Sequence, residues 1–239
     1  MNSRPAAASA ASSSAIAAVS TGAAGLPGPP IDAASSLFPS LRPFWGRLLH
    51  RRGYDIRPAR TPHQQGAVYT LLRRMYAWRG CATESVQPGP VDPNRLTLAA
   101  WDFDDVVATL TLGRDSPNGL LTDALYAAEL ASLRRQGRIL CEVSRLAVDP
   151  DFSSPDLLTT LFESALHYAT DIFSASDAVI EVNPRHARYY QRRMGFRQIG
   201  KRRHGQGANS PTILLHQALG EMTIPRASAI RSAGIPGSR

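Results

Sequence analysis

From residue 54 to residue 218 the spacing of apolar positions alternates between a period of two and a period near 3.6, which predicts strands interleaved with helices. Tyr54 to Pro58 reads as a short strand. Thr61 caps a helix with Pro62 at its first position, running to about Trp78 with Val68, Leu71, Leu72, Met75 and Tyr76 as its apolar stripe. Residues 80–94 form a loop containing Pro88, Gly89, Pro90 and Pro93. Arg95 to Phe103 and Val106 to Leu112 are strand-like, and Asp104–Asp105 between them predicts a hairpin turn. Thr122 caps a helix that ends near Gly137, and residues 138–148 are a mostly apolar strand. Pro155 opens a long helix to about Phe173, and Ala178 to Val182 is a buried strand. Asn183 caps, and Pro184 begins, a helix stopped by Gly195; Phe196–Lys201 and Thr212–Gln217 are the last strands. The order β-α-β-β-α-β-α-β-α-β-β predicts a layered α/β domain with a mixed sheet.

Composition adds the tails. Residues 1–40 are rich in Ala, Ser, Gly and Pro, lack enough large side chains to offset ordering entropy, and read as a disordered tail rather than a signal peptide. Residues 225–239 read as a flexible basic tail, leaving 41–224 as the folded domain. The chain has 239 residues, 43% apolar, with a formal net charge of +8, and Lys201 is its only lysine. A basic surface favours acidic partners, although on charge alone a merely solvated surface is the simpler reading. Only Cys81 and Cys141 are present, which excludes a disulfide framework or Cys-rich zinc site and fits a reducing, cytoplasmic setting. No uncharged apolar run approaches the ~18 residues of a membrane span. No His/Asp/Glu grouping has metal-ligand spacing, so no metal is expected.

Two segments carry candidate chemistry. In Arg138–Val148, Glu142, Ser144 and Leu146 fall on one face of the strand and Val143, Arg145 and Ala147 on the other. A carboxylate and a guanidinium in a central strand must be paired or face a cavity, so they read equally as a structural ion pair or as a site. In Glu181–Phe196, Tyr189 and Tyr190 lie on the short helix, where packing is the simpler role. His186 in its first turn reads as exposed.

The run NPRHARYYQRRMGFRQIG is similar to the closing helix and strand of the Gcn5-related N-acyltransferase fold, and CEVSRLAVD resembles the Glu-x-Ser-Arg strand of acyl-homoserine-lactone synthases. The longer block ATLTLGRDSPNGLLTDALYAAELASLRRQGRILCEVSRLAVDP resembles the N-acyl amino acid synthases, and the likeness covers roughly residues 54 to 219. It implies an acyl-CoA N-acyltransferase (GNAT-like) fold: a mixed, mostly antiparallel sheet flanked by helices. The implied reaction moves a fatty acyl group from a thioester on acyl carrier protein to the amine of an amino acid. Acyl-phosphopantetheine is then the co-substrate, with no tightly bound cofactor and acyl-CoA as the second donor. The segment DPDFSSPDLLTTLF lacks the Gly-rich turn by which acetyltransferases hold a pyrophosphate, and Asp149, Asp151 and Asp156 would repel one.

The resemblance implies a thioester lying between the central strand and the strand that begins at Ala178. Glu142 is then the candidate base, Arg145 neutralises a carboxylate, and backbone N–H groups around Ser144–Leu146 stabilise the oxyanion. Leu146, Ala147, Val148, Asn183, Tyr189 and Tyr190 are the candidate donor-site residues. Arg74 and Trp78 are the candidate acceptor-site residues, within a lid region that includes Arg73 and Tyr76. Met75, Trp78 and Phe103 line an acyl tunnel or belong to the core. Glu129 reads as helix packing, with pairing to Arg138 or Arg145 as the alternative. The competing functions are a signal synthase, an acetyl-coenzyme A acetyltransferase, a non-catalytic acyl-binding module, and a nucleic-acid binder resting on RQIGKRRH.

Overall fold

The computed structural model describes residues 54–78, 92–204, 211–222 and 224. The expected tails, Cys81 and most of the proline-rich loop lie outside the described residues. The elements are β1 (Asp55–Pro58), α1 (Pro62–Trp78), β2 (Arg95–Asp102), β3 (Asp105–Arg114), α2 (Asp123–Arg135), β4 (Leu140–Val148), α3 (Pro155–His167), β5 (Asp177–Val182), α4 (Pro184–Met194), β6 (Arg197–Gln198), β7 (Arg203–His204) and β8 (Pro211–Ala218). Among the described residues eight strands pair in the order β1-β2-β3-β4-β5-β8-β6, with β7 also on β8. Only β4 and β5 run parallel.

The helix ends follow from local chemistry. Thr61 and Gln64 form a reciprocal capping box: the Gln64 N–H donates to Thr61 Oγ1 at 3.3 Å, and the Thr61 N–H donates to Gln64 Oε1 at 3.1 Å. Ser154 caps α3 by accepting the Leu157 N–H, and the helix continues into a π-helical turn over Tyr168–Ile172. Asn183 accepts the Arg185 N–H at the start of α4, and Gly195 ends it at φ 77°. That conformation suits glycine because it has no Cβ.

Thr122 stands at the α2 N-cap but makes no side-chain cap bond. The cap is supplied from β4, because the buried Glu142 carboxylate accepts from Thr122 N–H at 2.9 Å and Leu121 N–H at 3.1 Å. The β2–β3 turn also shifts by one residue from expectation. Asp102 pairs with Asp105, and Phe103 takes φ 55° at the tip, 76% exposed, so it belongs to neither core nor tunnel. The strand expected over Phe196–Lys201 is reduced to Arg197–Gln198. Beyond it Ile199 and Gly200 both donate to the Leu214 carbonyl, and a Cβ on Gly200 would lie 2.6 Å from Leu214 and the Tyr126 ring.

The two sheet faces are covered differently. On one, α3 and α4 bury Leu157, Leu161, Phe162, Ala187, Tyr190 and Met194 against Leu110, Val143, Leu146, Ile180 and Leu215. On the other, α1 packs on Ala99, Trp101, Val106 and Ala147, while α2 packs on Leu140, Val179 and Leu214. The second face therefore holds two apolar clusters, not one.

Arg134 anchors the approach to α2. Its guanidinium donates to both carboxylate oxygens of Asp115 at 2.7 and 2.8 Å and to both of Asp123 at 2.7 Å. Two bidentate pairs on one Arg are geometrically demanding and stronger than isolated surface pairs. Arg134→Met is expected to destabilise the domain by roughly 1–2 kcal/mol, read as a lower melting temperature. An unchanged melting temperature would show that this loop is held by its apolar contacts.

Candidate active site

The site begins with a break in the sheet. The β4–β5 ladder runs from Leu140–Asp177 to Val143–Ile180 and ends there, although β4 continues to Val148 and β5 to Val182. Beyond Val143 the two strands splay, and the backbone of Ser144–Val148 has no partner on the β5 side. At this point Arg145 adopts φ 50°, and the β3–β4 register slips between Thr109–Ala147 and Thr111–Ser144. An extra residue in β4 is a β-bulge, and a non-glycine residue in the left-handed region costs of order 1–3 kcal/mol.

The bulge corrects the sequence-based faces. Leu146 and Val148 join Cys141 and Val143 on the α3/α4 face, whereas Ala147 faces α1. Leu146 therefore does not share a face with Glu142 and Ser144, because one inserted residue inverts the alternation.

Between the α1 and α2 clusters the second sheet face is polar. Arg95 and Thr97 of β2, Thr109 and Thr111 of β3, Glu142 and Ser144 of β4, Glu181 of β5 and Thr212 of β8 follow one another across the sheet. Thr97 and Thr111 hydroxyls lie 2.9 Å apart, and Ser144 Oγ donates to the Thr111 carbonyl at 3.4 Å. Thr109 Oγ1 is buried without a hydrogen-bond partner among the described residues. Buried polar side chains normally find hydrogen-bond partners, which makes this strip the candidate place for a bound group.

Two carboxylates lie in the strip. Glu142 is 0% exposed, and burial raises its pKa, opposed by the Arg95 charge and the Leu121 and Thr122 amides. Glu181 is 4% exposed at the mouth of the splay. Burial pushes its pKa up to about 7, opposed by the Thr212 hydroxyl and reinforced by the nearby Glu142 charge. Tyr126 closes this end, its hydroxyl donating to the Thr212 carbonyl at 3.0 Å. The sequence reading gave Glu181 no role. The available signal was a second carboxylate, after Asp177, within DAVIEV, a strand buried at all six positions.

The other expected residues divide. Leu146, Ala147 and Val148 border the open edge of β4, and Asn183, which caps α4, follows the end of β5. Tyr190 is fully buried, with the rings of Tyr189, Phe196 and Phe162 at 5.3, 6.2 and 6.3 Å. Tyr189 is 36% exposed, and burial holds its phenol above the usual pKa. Arg74 is ion-paired with Asp149, and Trp78 is 65% exposed at the end of α1. Glu129 pairs with Arg203 at 2.8 Å, not with Arg138 or Arg145, and Arg138 lies 3.7 Å from Asp177. Met75 is core. Burial pushes the Cys141 thiol up to about 12, so it is protonated at neutral pH and unsuited to nucleophilic attack.

A mixed sheet splayed between two parallel strands, bulged at the splay and covered by helices on both faces, defines an N-acyltransferase of the acyl-CoA N-acyltransferase fold. The chain belongs to the family of N-acyl amino acid synthase FeeM, whose model matches residues 67–218. The solved structure of FeeM, an N-acyl amino acid synthase from uncultured soil microbes, is 26% identical with a TM-score of 0.63, covering 71% of this chain and 93% of that one. An acyl-CoA N-acyltransferase from Pseudomonas aeruginosa shares the fold at 18% identity and TM-score 0.53, covering 70% and 100% of the two chains. So does an aminoglycoside 6'-N-acetyltransferase complexed with coenzyme A, at 13% identity and TM-score 0.51, covering 72% and 98%. No curated protein sequence matches the chain. No helix among the described residues is long and apolar enough to cross a membrane.

Proposed function

We propose that this N-acyltransferase moves a fatty acyl group from the thioester of acyl carrier protein to the amine of an amino acid. Membership of the N-acyl amino acid synthase family carries the acceptor class. The start of α3 supports the carrier-bound donor. There Pro155 has no N–H, Ser154 Oγ already accepts the Leu157 N–H, Asp149 already accepts the Asp151 N–H, and Asp156 lies in the first turn. A pyrophosphate would meet Asp151 and Asp156, an Asp149 already paired with Arg74, and few free donors, whereas a carrier-bound phosphopantetheine brings no diphosphate.

In this reading the thioester lies in the splay, its carbonyl oxygen facing the amides of the bulge around Ser144–Leu146. The acceptor amine approaches from the polar strip. Its nitrogen bonds to the thioester carbon, the C–S bond breaks, and the amine proton passes to a carboxylate. Both oxygens of Glu142 are engaged by the Leu121 and Thr122 amides at the N-terminus of α2. Glu181, with a pKa near the working pH, is the better acceptor for that proton. The thiolate departs along α4, where the raised pKa of Tyr189 keeps a phenolic proton available.

The donor is tested by supplying the purified chain with amino acids and either a fatty acyl carrier-protein thioester or the matching acyl-CoA. Mass spectrometry of the products reads the reaction. The expected result is N-acyl amino acid from the carrier thioester, at a kcat/KM at least 100-fold above that for the coenzyme A thioester. Equal or better use of acyl-CoA would overturn the carrier assignment and leave the acyltransferase standing.

A further inference from the structure

Two arginines beside or within the polar strip keep guanidinium donors that no acceptor fills among the described residues. Arg145 is half-buried at the bulge and, among the described residues, makes no hydrogen bond or ion pair. Its electrostatic neighbours are Tyr76 of α1, Arg95 and Glu142, which place its charge on the α1/α2 face. Arg95 lies in the same row as Gly113 and Glu142. Its Nε is held by Asp92 at 3.2 Å, while its Nη1 is buried with no acceptor. The one carboxylate near both arginines within the strip, Glu142, is committed to the Leu121 and Thr122 amides. Asp92 pairs with the Nε of Arg95 alone, and buried guanidinium donors left unfilled beside a second positive charge are unfavourable unless an anion joins them. Arg74, the acceptor residue expected from sequence, is already neutralised by Asp149.

Resting on the function proposed above, we infer that Arg145 and Arg95 together form the subsite for the carboxylate of the acceptor amino acid. The planar guanidinium fork matches a carboxylate in two-point contact. The left-handed backbone at Arg145 ties this subsite to the bulge. The residue that gathers the acceptor's carboxylate is thus adjacent to the amides that face the thioester. A carboxylate held there leaves the α-amino group one carbon away, and Glu181 belongs to the same polar strip on the neighbouring strand β5.

The subsite makes the enzyme selective for amino acids over the amines that lack the carboxylate. The test compares L-phenylalanine with phenethylamine and L-leucine with isopentylamine, using whichever thioester donor supports turnover. Wild type is expected to favour each amino acid by at least ~100-fold in kcat/KM. Arg145→Gln and Arg95→Gln are each expected to lower kcat/KM for the amino acid by 10- to 100-fold, mainly through KM. The preference over the amine should then fall below ~10-fold. Arg145→Lys keeps the charge but not the fork and should fall between. Melting temperatures identify any variant that fails to fold, and where an Arg145 variant fails, Arg95→Gln and Arg95→Lys decide the question by the same comparison. Equal losses for amino acid and amine, or no wild-type preference, would overturn the subsite while leaving the acyltransferase intact. Absence of transfer to every acceptor would instead overturn the proposed function, and the subsite with it.

Discussion

Glu181→Gln is expected to cut acyl transfer by ~10²–10⁴-fold without unfolding the domain, the range a positioned general base contributes. The carboxylate is buried where β5 parts from β4, and its pKa is pushed up to about 7 by burial. The ionised form accepts the proton, so kcat/KM should rise with pH through an apparent pKa near 7, and Glu181→Gln should abolish that limb. The stability linkage runs the opposite way. An unfolded Glu ionises near 4.5 and the folded one near 7, so the folded state binds more protons between those values and stability falls as pH rises across that window. The penalty at pH 8 is on the order of 3 kcal/mol. Glu181→Gln should therefore be more stable than wild type at pH 8 and about equally stable at pH 4. An inactive variant with no gain at pH 8 would contradict the raised pKa. A variant with wild-type turnover would remove Glu181 from the mechanism.

Glu142→Ala is expected to be the most destabilising single substitution in the site. It would strand the Leu121 and Thr122 amides, which both donate to this carboxylate. Each buried donor left unsatisfied costs about 1–3 kcal/mol. The sum is a large part of the 5–15 kcal/mol that holds a typical domain. At roughly 2–4 °C per kcal/mol for a domain of this size, the melting temperature should drop by about 10 °C. Glu142→Gln should lose part of that, since it keeps one acceptor oxygen but points an amide donor at the other N–H. Activity should fall in step with stability in both variants. A Glu142→Gln protein that melts like wild type yet transfers no acyl group would return the base role to Glu142.

The local punctuation was legible in the sequence because it is local physics. Thr61 with Gln64, Ser154–Pro155, Asn183–Pro184 and Gly195 act over three or four residues, and the helices begin and end where these residues require. The period switches along 54–218 predicted the element order apart from the two-residue strand β7, and the motif blocks resembled the family that the comparisons show. Thr122 shows the limit. It has the right residue type at the right place, yet a carboxylate twenty positions away supplies the cap.

What the tertiary structure alone decided concerns the site. A strict alternation put Leu146 with Glu142, but the bulge at Arg145 inverts the faces, and nothing in CEVSRLAV marks where a strand takes an extra residue. The splay depends on β4 and β5 pairing for four residues and then parting, a property of two strands joined through a helix. The polar strip collects one or two residues from each of five strands, each ordinary in its own segment: Arg95 and Thr97, Thr109 and Thr111, Glu142 and Ser144, Glu181, and Thr212. Sequence by itself determined the long elements, their order and the family, because those rest on neighbours along the chain, while the short strands β6 and β7 depended on pairing with β8. The roles of Glu142, Glu181, Arg74 and Arg145 depended on what burial and long-range contacts left each group to bind, and only the assembled sheet sets that.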